Sequence, residues 1–248
     1  MPNHVKNIIH ICSDSETIQN ILLAVQNDDV GIGSFDFNKL IPMPKSLEIE
    51  CSSRTNAGLA LYRAFLEECD KCSLEVNVPG EEFEQIRASI WNKYAEKADP
   101  ETLENGKKAY ENLKAYGYPT WYEWANAEWG TKWNAYDCEE YCGGNALAFS
   151  TAWSSVPKIL TALSEKYPAI QFRYLWADED IGYNVGYSAY LGGEVTESYI
   201  PAGGTKEAYE LAAEIRGCDL ERDYGLFLTE DESTYEYREE DESEGPEI

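Results

Sequence analysis

The residue types able to do chemistry in this 248-residue chain are few, apart from its carboxylates. Two histidines occur, His4 and His10. They stand six apart in a β-branched stretch, which puts both on one face of a regular strand. A catalytic or metal-binding role for either requires a carboxylate or thiol brought alongside by the fold. The plainer reading of His4 is a hydrogen-bonding residue at a strand end. Seven cysteines include a CxxC at Cys69 and Cys72 and a CxxxC at Cys138 and Cys142. Together these four could ligate zinc, but Cys69 and Cys72 close a helical run and lack the glycine turn of a zinc ribbon. The same position, at a helix end, excludes a thioredoxin-type redox pair. An odd cysteine count in a chain of cytosolic character points to reduced thiols.

Carboxylates are so abundant, at 46, that any plausible acid pair carries little information. No GxSxG, HExxH, P-loop or dinucleotide fingerprint is present. Gly31-Ile32-Gly33 reads as a loop, and Asp178 to Asp180 as a turn without the alternating ligands of a calcium loop. No catalytic residue, metal or cofactor is therefore assigned.

The most distinctive stretch is Tyr118 to Asp137, which holds Trp121, Trp124, Trp129 and Trp133. Spacings of three and five place the first three near one face of a helix, which Gly130 ends. Rings of that size are costly to leave in water, so the block reads first as a packing centre joining sheet to helices. Were it instead a ligand site, Trp121, Lys132, Trp133 and Asp137 would form it. Lys132 could hold an anionic group there or pair with Glu128.

The elements that must position these groups follow from periodicity. Val5 to Ile11 reads as a strand, followed by a helix capped at Ser13 or Asp14 with Ile18, Ile21, Leu22 and Val25 on its apolar face. Ser34 to Ile41 alternates and reads as a second strand ending at Pro42. Helices are expected over 57–68, 83–97 and 101–115, with Ser73 to Val78 either strand or loop, and the tryptophan helix fourth. Strand character returns at Asn145 to Trp153. A helix capped by Ser154 or Ser155 ahead of Pro157 comes next, then strands over 170–176, 183–191 and 194–200. Gly192-Gly193 joins the last two as a hairpin. Lys206 to Ile215 is a short helix, and Tyr224 to Leu228 an edge strand. This order reads as α+β, an antiparallel sheet with helices on one face and the central helices as an insertion. The expected organisation is one domain over 1–229, with sheet-forming parts at 1–54 and 138–229, a helical part at 55–137, and an acidic disordered tail over 230–248.

Apolar residues make up 43% and aromatics 13% of the chain, enough for a sizeable core. No apolar run is long enough to cross a bilayer, and no signal peptide is evident, so a soluble cytoplasmic protein with no membrane partner is expected. The net charge of −26 disfavours direct nucleic-acid binding and favours a basic protein partner.

Four phrases, MPNHVKN, FDFNKLIPMP, WYEWANAEWGTKWNAYD and FSTAWSSVPKIL, together resemble the YubB-like family of phage- and plasmid-encoded proteins. The resemblance spans most of residues 1–200. It implies a ferredoxin-like domain and a mobile-element setting, and supplies no catalytic residue to carry over. The resulting expectation is an accessory protein acting by interaction through an acidic surface with a basic or nucleic-acid-binding protein. The alternative is an enzyme or small-molecule binder with a pocket beside 118–137.

Overall fold

The computed structural model describes residues 2–75 and 80–238. The chain divides into a sheet unit, Met1–Pro42 with Glu128–Ile248, and a helical unit, Met43–Ala127.

In the sheet unit, β1 (His4–Cys12) leads into α1 (Ser15–Val25), and Asp14 caps that helix. The Asp14 carboxylate accepts from the Thr17 amide at 2.9 Å, satisfying a donor that the first helical turn leaves open. After the helical unit come β2 (Tyr136–Tyr141), β3 (Ala146–Ala152), α6 (Pro157–Lys166) and β4 (Gln171–Asp178). A hairpin, β5 (Val185–Leu191) and β6 (Glu194–Tyr199), follows β4. The sheet runs β2-β3-β1-β4-β5-β6 and is antiparallel throughout. Its first four strands, with α1 and α6 as crossovers, form the βαββαβ arrangement of a ferredoxin-like domain.

One sheet face carries Val5, Asn7, Ile9 and Ile11 with Phe149, Phe172 and Tyr174, all buried. A polar bracket sits within it. Tyr174 donates to Asn7 Oδ1 at 2.5 Å, and its hydroxyl accepts from the Val156 amide at 2.9 Å, just ahead of α6. Asn7 in turn donates to Thr151 Oγ1 at 2.8 Å. The opposite face is covered at one end by α7 (Lys206–Arg216), where Ala208, Ala212 and Ile215 pack on Ile8, Ala148, Ala177 and Val185.

Three local expectations change. Ser34 to Ile41 is not a strand: Phe37–Lys39 forms a 3-10 turn. Asp36 Oδ1 accepts from the Asn38 amide at 2.9 Å, and Asn134 Oδ1 accepts from the Phe37 amide at 2.8 Å. Side chains thus take the backbone donors a ladder would need. Both Phe35 and Phe37 turn inward onto Phe149, with centroids 5.1 and 6.0 Å away. The helix cap expected at Ser154 or Ser155 falls at Val156, where Pro157 opens α6 without a side-chain cap. Finally, β7 (Leu226–Leu228) pairs with β8 (Tyr235–Tyr237), so residues beyond 230 contribute a strand. The rest of the expected tail, 239–248, lies outside the described residues.

In the helical unit, α2 (Ser53–Glu75), α3 (Gly80–Ala95) and α4 (Pro100–Tyr116) pack around Tyr62, Phe65, Ile90 and Tyr94. Of the stretch Ser73 to Val78, read as strand or loop, residues 73–75 belong to α2, and residues 76–79 lie outside the described ones. Asp99 caps α4 ahead of Pro100, and Gly117 ends it in the left-handed conformation. The tryptophan helix is α5 (Trp121–Glu128).

Candidate functional site

Strand β3 presents Ala146, Ala148, Ser150 and Ala152 on the face that α7 partly covers. Four small side chains in a row leave a trough in the sheet surface. The neighbouring strands supply its walls. From β1 rise His4 and Lys6, and from β2 Tyr136 and Glu139, in register with Ala152, Ser150, Ser150 and Ala148 respectively. Register shifts between Tyr136 and Glu139, and Asp137 takes a left-handed φ of 48°. A bulge of this kind re-aims a side chain, and a non-glycine residue at positive φ stores strain that clusters at functional positions. Asp137 joins Glu139 along the trough. Arg216, at the end of α7, completes a cavity of about 230 Å³.

His4 and Tyr136 close one end. Their side chains meet across β3, His4 Nδ1 and the Tyr136 hydroxyl lying 2.7 Å apart. Only Ala152 and Ser150 lie beneath, so nothing stands between them. Burial pushes the Tyr136 phenol up to about 12, with Asp137 and Glu179 adding to the shift. Tyr136 therefore keeps its proton at neutral pH and can donate it to Nδ1. At the other end Lys6 Nζ stands 5.5 Å from the Tyr141 ring centroid and 3.5 Å from the Arg216 carbonyl oxygen. Arg216 donates to the Ala177 carbonyl at 3.3 Å. Among the described residues, neither cation reaches a carboxylate within ion-pair distance, and neither Asp137 nor Glu139 reaches a cation.

Beside the trough lies an exposed aromatic group. Lys132 Nζ is 4.5 Å from the Trp133 ring centroid and 5.3 Å from that of Trp153, and Trp133 meets Tyr136 edge-on at 6.2 Å. Trp133 and Trp153 are 37% and 41% exposed. Trp153 holds a φ of 69°, uncommon for a bulky side chain. Its carbonyl accepts from Asn184 Nδ2 at 3.1 Å, and the same amide group donates to buried Asp178 at 2.8 Å. Asp178 also accepts from Asn3 at 3.2 Å and from the Asp180 amide at 3.0 Å. The DED segment is thus a bracket around one buried carboxylate that fixes the β4–β5 turn.

Of the residues singled out in the sequence, Lys132 and Trp133 touch each other in the sheet unit, Asp137 lines the trough of the same unit, and Trp121 belongs to the helical unit. The tryptophan block divides likewise. Trp124 and Trp129 are buried, with Trp129 Nε1 donating to the Ile41 carbonyl at 2.9 Å, whereas Trp121 is half-buried against Tyr122. Lys6, Glu139, Ser150, Trp153 and Arg216 were not singled out. A readable signal did exist, in the small residue at every second position of β3. His4 and His10 do share a face; burial, and then Arg173, lower the basicity of His10.

All seven cysteines are free thiols, and burial raises the Cys69 and Cys138 thiols above their ordinary range. Among the described residues no group of three or more His, Cys, Asp or Glu is arranged to hold a metal ion. Nor is any described helix long and apolar enough to cross a membrane. The helical unit has a broader concavity of about 450 Å³ between Phe65, Arg87, Trp91 and Lys107.

Comparison with known proteins bears on the sheet unit. No curated protein matches the chain. The crystal structure of protein api92 from Yersinia pseudotuberculosis is similar at 12% identity and a TM-score of 0.37, over 82% of this chain and 99% of that one. A family described as a ferredoxin-like domain in Api92-like protein matches residues 132–219, the span from Lys132 through β2 to the end of α7.

Proposed function

We propose that the protein acts by interaction, presenting an acidic surface to a basic, nucleic-acid-binding partner, in the setting of a phage- or plasmid-type mobile element. One observation carries this reading: exposed carboxylates gather on successive helices of the sheet unit, which holds 31 Asp and Glu against 10 Lys and Arg, a net −21, with −9 of it in residues 230–248. On α7, on α8 (Leu220–Tyr224) and at its cap Asp219, the exposed carboxylates of Glu207, Glu210, Glu214, Asp219, Glu221 and Asp223 follow one another closely. Such a field steers cationic partners and repels nucleic acid. The mobile-element setting rests on the four sequence phrases above.

The test is affinity capture from host lysate with the wild type and with a variant carrying Glu→Gln at 207, 210, 214 and 221. A basic partner should be held at low salt, lost as the Debye length shrinks to about 8 Å near 0.15 M salt, and weakened by the neutralised variant. Competition by duplex DNA for that partner would place the carboxylates on its phosphate-binding surface. Capture that ignores both salt and neutralisation overturns the proposal.

A second reading, small-molecule binding beside the tryptophan block, is favoured by the trough between β1 and β2. Its volume falls below the roughly 300–1,000 Å³ of drug-sized sites, which suits a small polar ligand.

A further inference from the structure

We infer that the trough over β3 binds a small zwitterion, a molecule of amino-acid size carrying one ammonium and one carboxylate group. The inference rests on the second reading above and specifies its ligand. It follows from how opposite charges are arranged. Lys6 and Arg216 stand on the β1 and α7 side, Asp137 and Glu139 on the β2 side, and all four line one cavity of about 230 Å³. Oppositely charged side chains sharing so small a space would normally pair. Here, among the described residues, no two of them come within ion-pair distance. Adjacent strands are about 4.8 Å apart, so β1 and β2 are separated by roughly 10 Å, with only Ala148 and Ser150 on the floor between.

This pattern discriminates among ligand classes. A simple anion drawn to Lys6 and Arg216 would face two carboxylates across the trough, inside a unit of net −21. A simple cation drawn to Asp137 and Glu139 would face the ammonium and guanidinium groups. A molecule with both charges meets a partner at each wall, and its own two charges bridge walls that are otherwise unpaired. The His4–Tyr136 hydrogen bond closes one end, so the ligand must be short. The strain at Asp137 fits the same account, since the bulge adds a second carboxylate to the wall that Glu139 begins.

The experiment is a protein-observed NMR titration of the full chain with glycine, 4-aminobutanoate and 6-aminohexanoate. Two controls each remove one charge, the methyl ester and the N-acetyl derivative of 4-aminobutanoate. At least one zwitterion should shift the amides of residues 136–139 and 148–150 saturably, with each control at least tenfold weaker. Lys6→Gln and Glu139→Gln, both on the sheet surface, should each weaken binding about tenfold, and Lys158→Gln on α6 should not. If a singly charged control binds as tightly as its parent, the zwitterion inference is overturned and small-molecule binding survives. If no probe binds saturably, both are overturned.

Discussion

Gly106→Ala sets two effects of opposite sign against each other in the helical unit. Alanine is the better helix former by about 1 kcal/mol, so propensity alone would stabilise α4. The structure opposes it. A Cβ at Gly106 would lie 2.1 Å from the Gly58 carbonyl carbon and 2.6 Å from its Cα, both on α2. A Cβ at Gly58 would likewise meet the Thr102 carbonyl oxygen at 2.0 Å. These obstacles are backbone, which cannot turn aside. Restoring an ordinary contact near 3.4 Å requires the two helices to part by 1.3 Å, the difference from 2.1 Å. A gap of 0.5–1 Å already forfeits about a quarter to a half of a dispersion contact, and the pairing of Tyr62 with Tyr110, centroids 5.4 Å apart, spans the same seam. Overpacking costs about 1–3 kcal/mol where side chains can adjust and more where they cannot. Gly106→Ala is therefore expected to destabilise the protein by about 2 kcal/mol, read as a lower urea midpoint by far-UV circular dichroism. Gly80→Ala, with no atom within 4 Å of the added methyl, should change it by less than about 0.5 kcal/mol. A Gly106→Ala protein as stable as the wild type, or more so, would refute the close approach of α2 and α4.

Three further outcomes are expected. Tyr174→Phe strips one hydroxyl and orphans both Asn7 Oδ1 and the Val156 amide in the buried bracket, costing about 2–4 kcal/mol in urea unfolding; Tyr187→Phe, which loses an exposed 3.3 Å bond to Glu197, should cost under about 0.5 kcal/mol. Because the folded Tyr136 titrates at about 12 rather than at the ordinary 10.0, its contribution to stability is complete below pH 10 and is lost as pH rises from 10 to 12. Tyr136→Phe should flatten that part of the stability profile, and an unchanged slope would contradict the raised phenol. Exposed Cys12, Cys51 and Cys142 should alkylate before buried Cys69 in the native protein, with Cys138 also slow because burial raises its thiol, as mass spectrometry of brief iodoacetamide labelling will show.

Much of the fold was legible because it rests on local rules. The apolar period of Ile18, Ile21, Leu22 and Val25, the cap at Asp14, the Pro100 and Pro157 helix starts and the Gly192-Gly193 hairpin each act over a few residues. Such signals survive in a single chain read in order. Ser34 to Ile41 misled because alternation describes a strand only when a neighbour accepts its ladder, and here Asp36 and Asn134, 98 residues apart, take the backbone groups instead. Strand β2 was overlooked for the converse reason. Tyr136 to Tyr141 is an edge rich in carboxylates, with little apolar period to announce it.

The sequence by itself determined the class of the molecule: an α+β chain with a helical insertion and a large acidic excess. These depend on composition and on periods of two and 3.6 residues, which need no partner. Tertiary structure alone decided where chemistry can happen. His4 and Tyr136 are 132 positions apart in the chain, yet their polar atoms lie 2.7 Å apart. Lys6 faces Asp137 and Glu139 only because β1 and β2 flank the small residues of β3, a strand order no local pattern encodes. Charges along a chain report how much field a protein carries, and only their placement on a rigid sheet turns that field into a site.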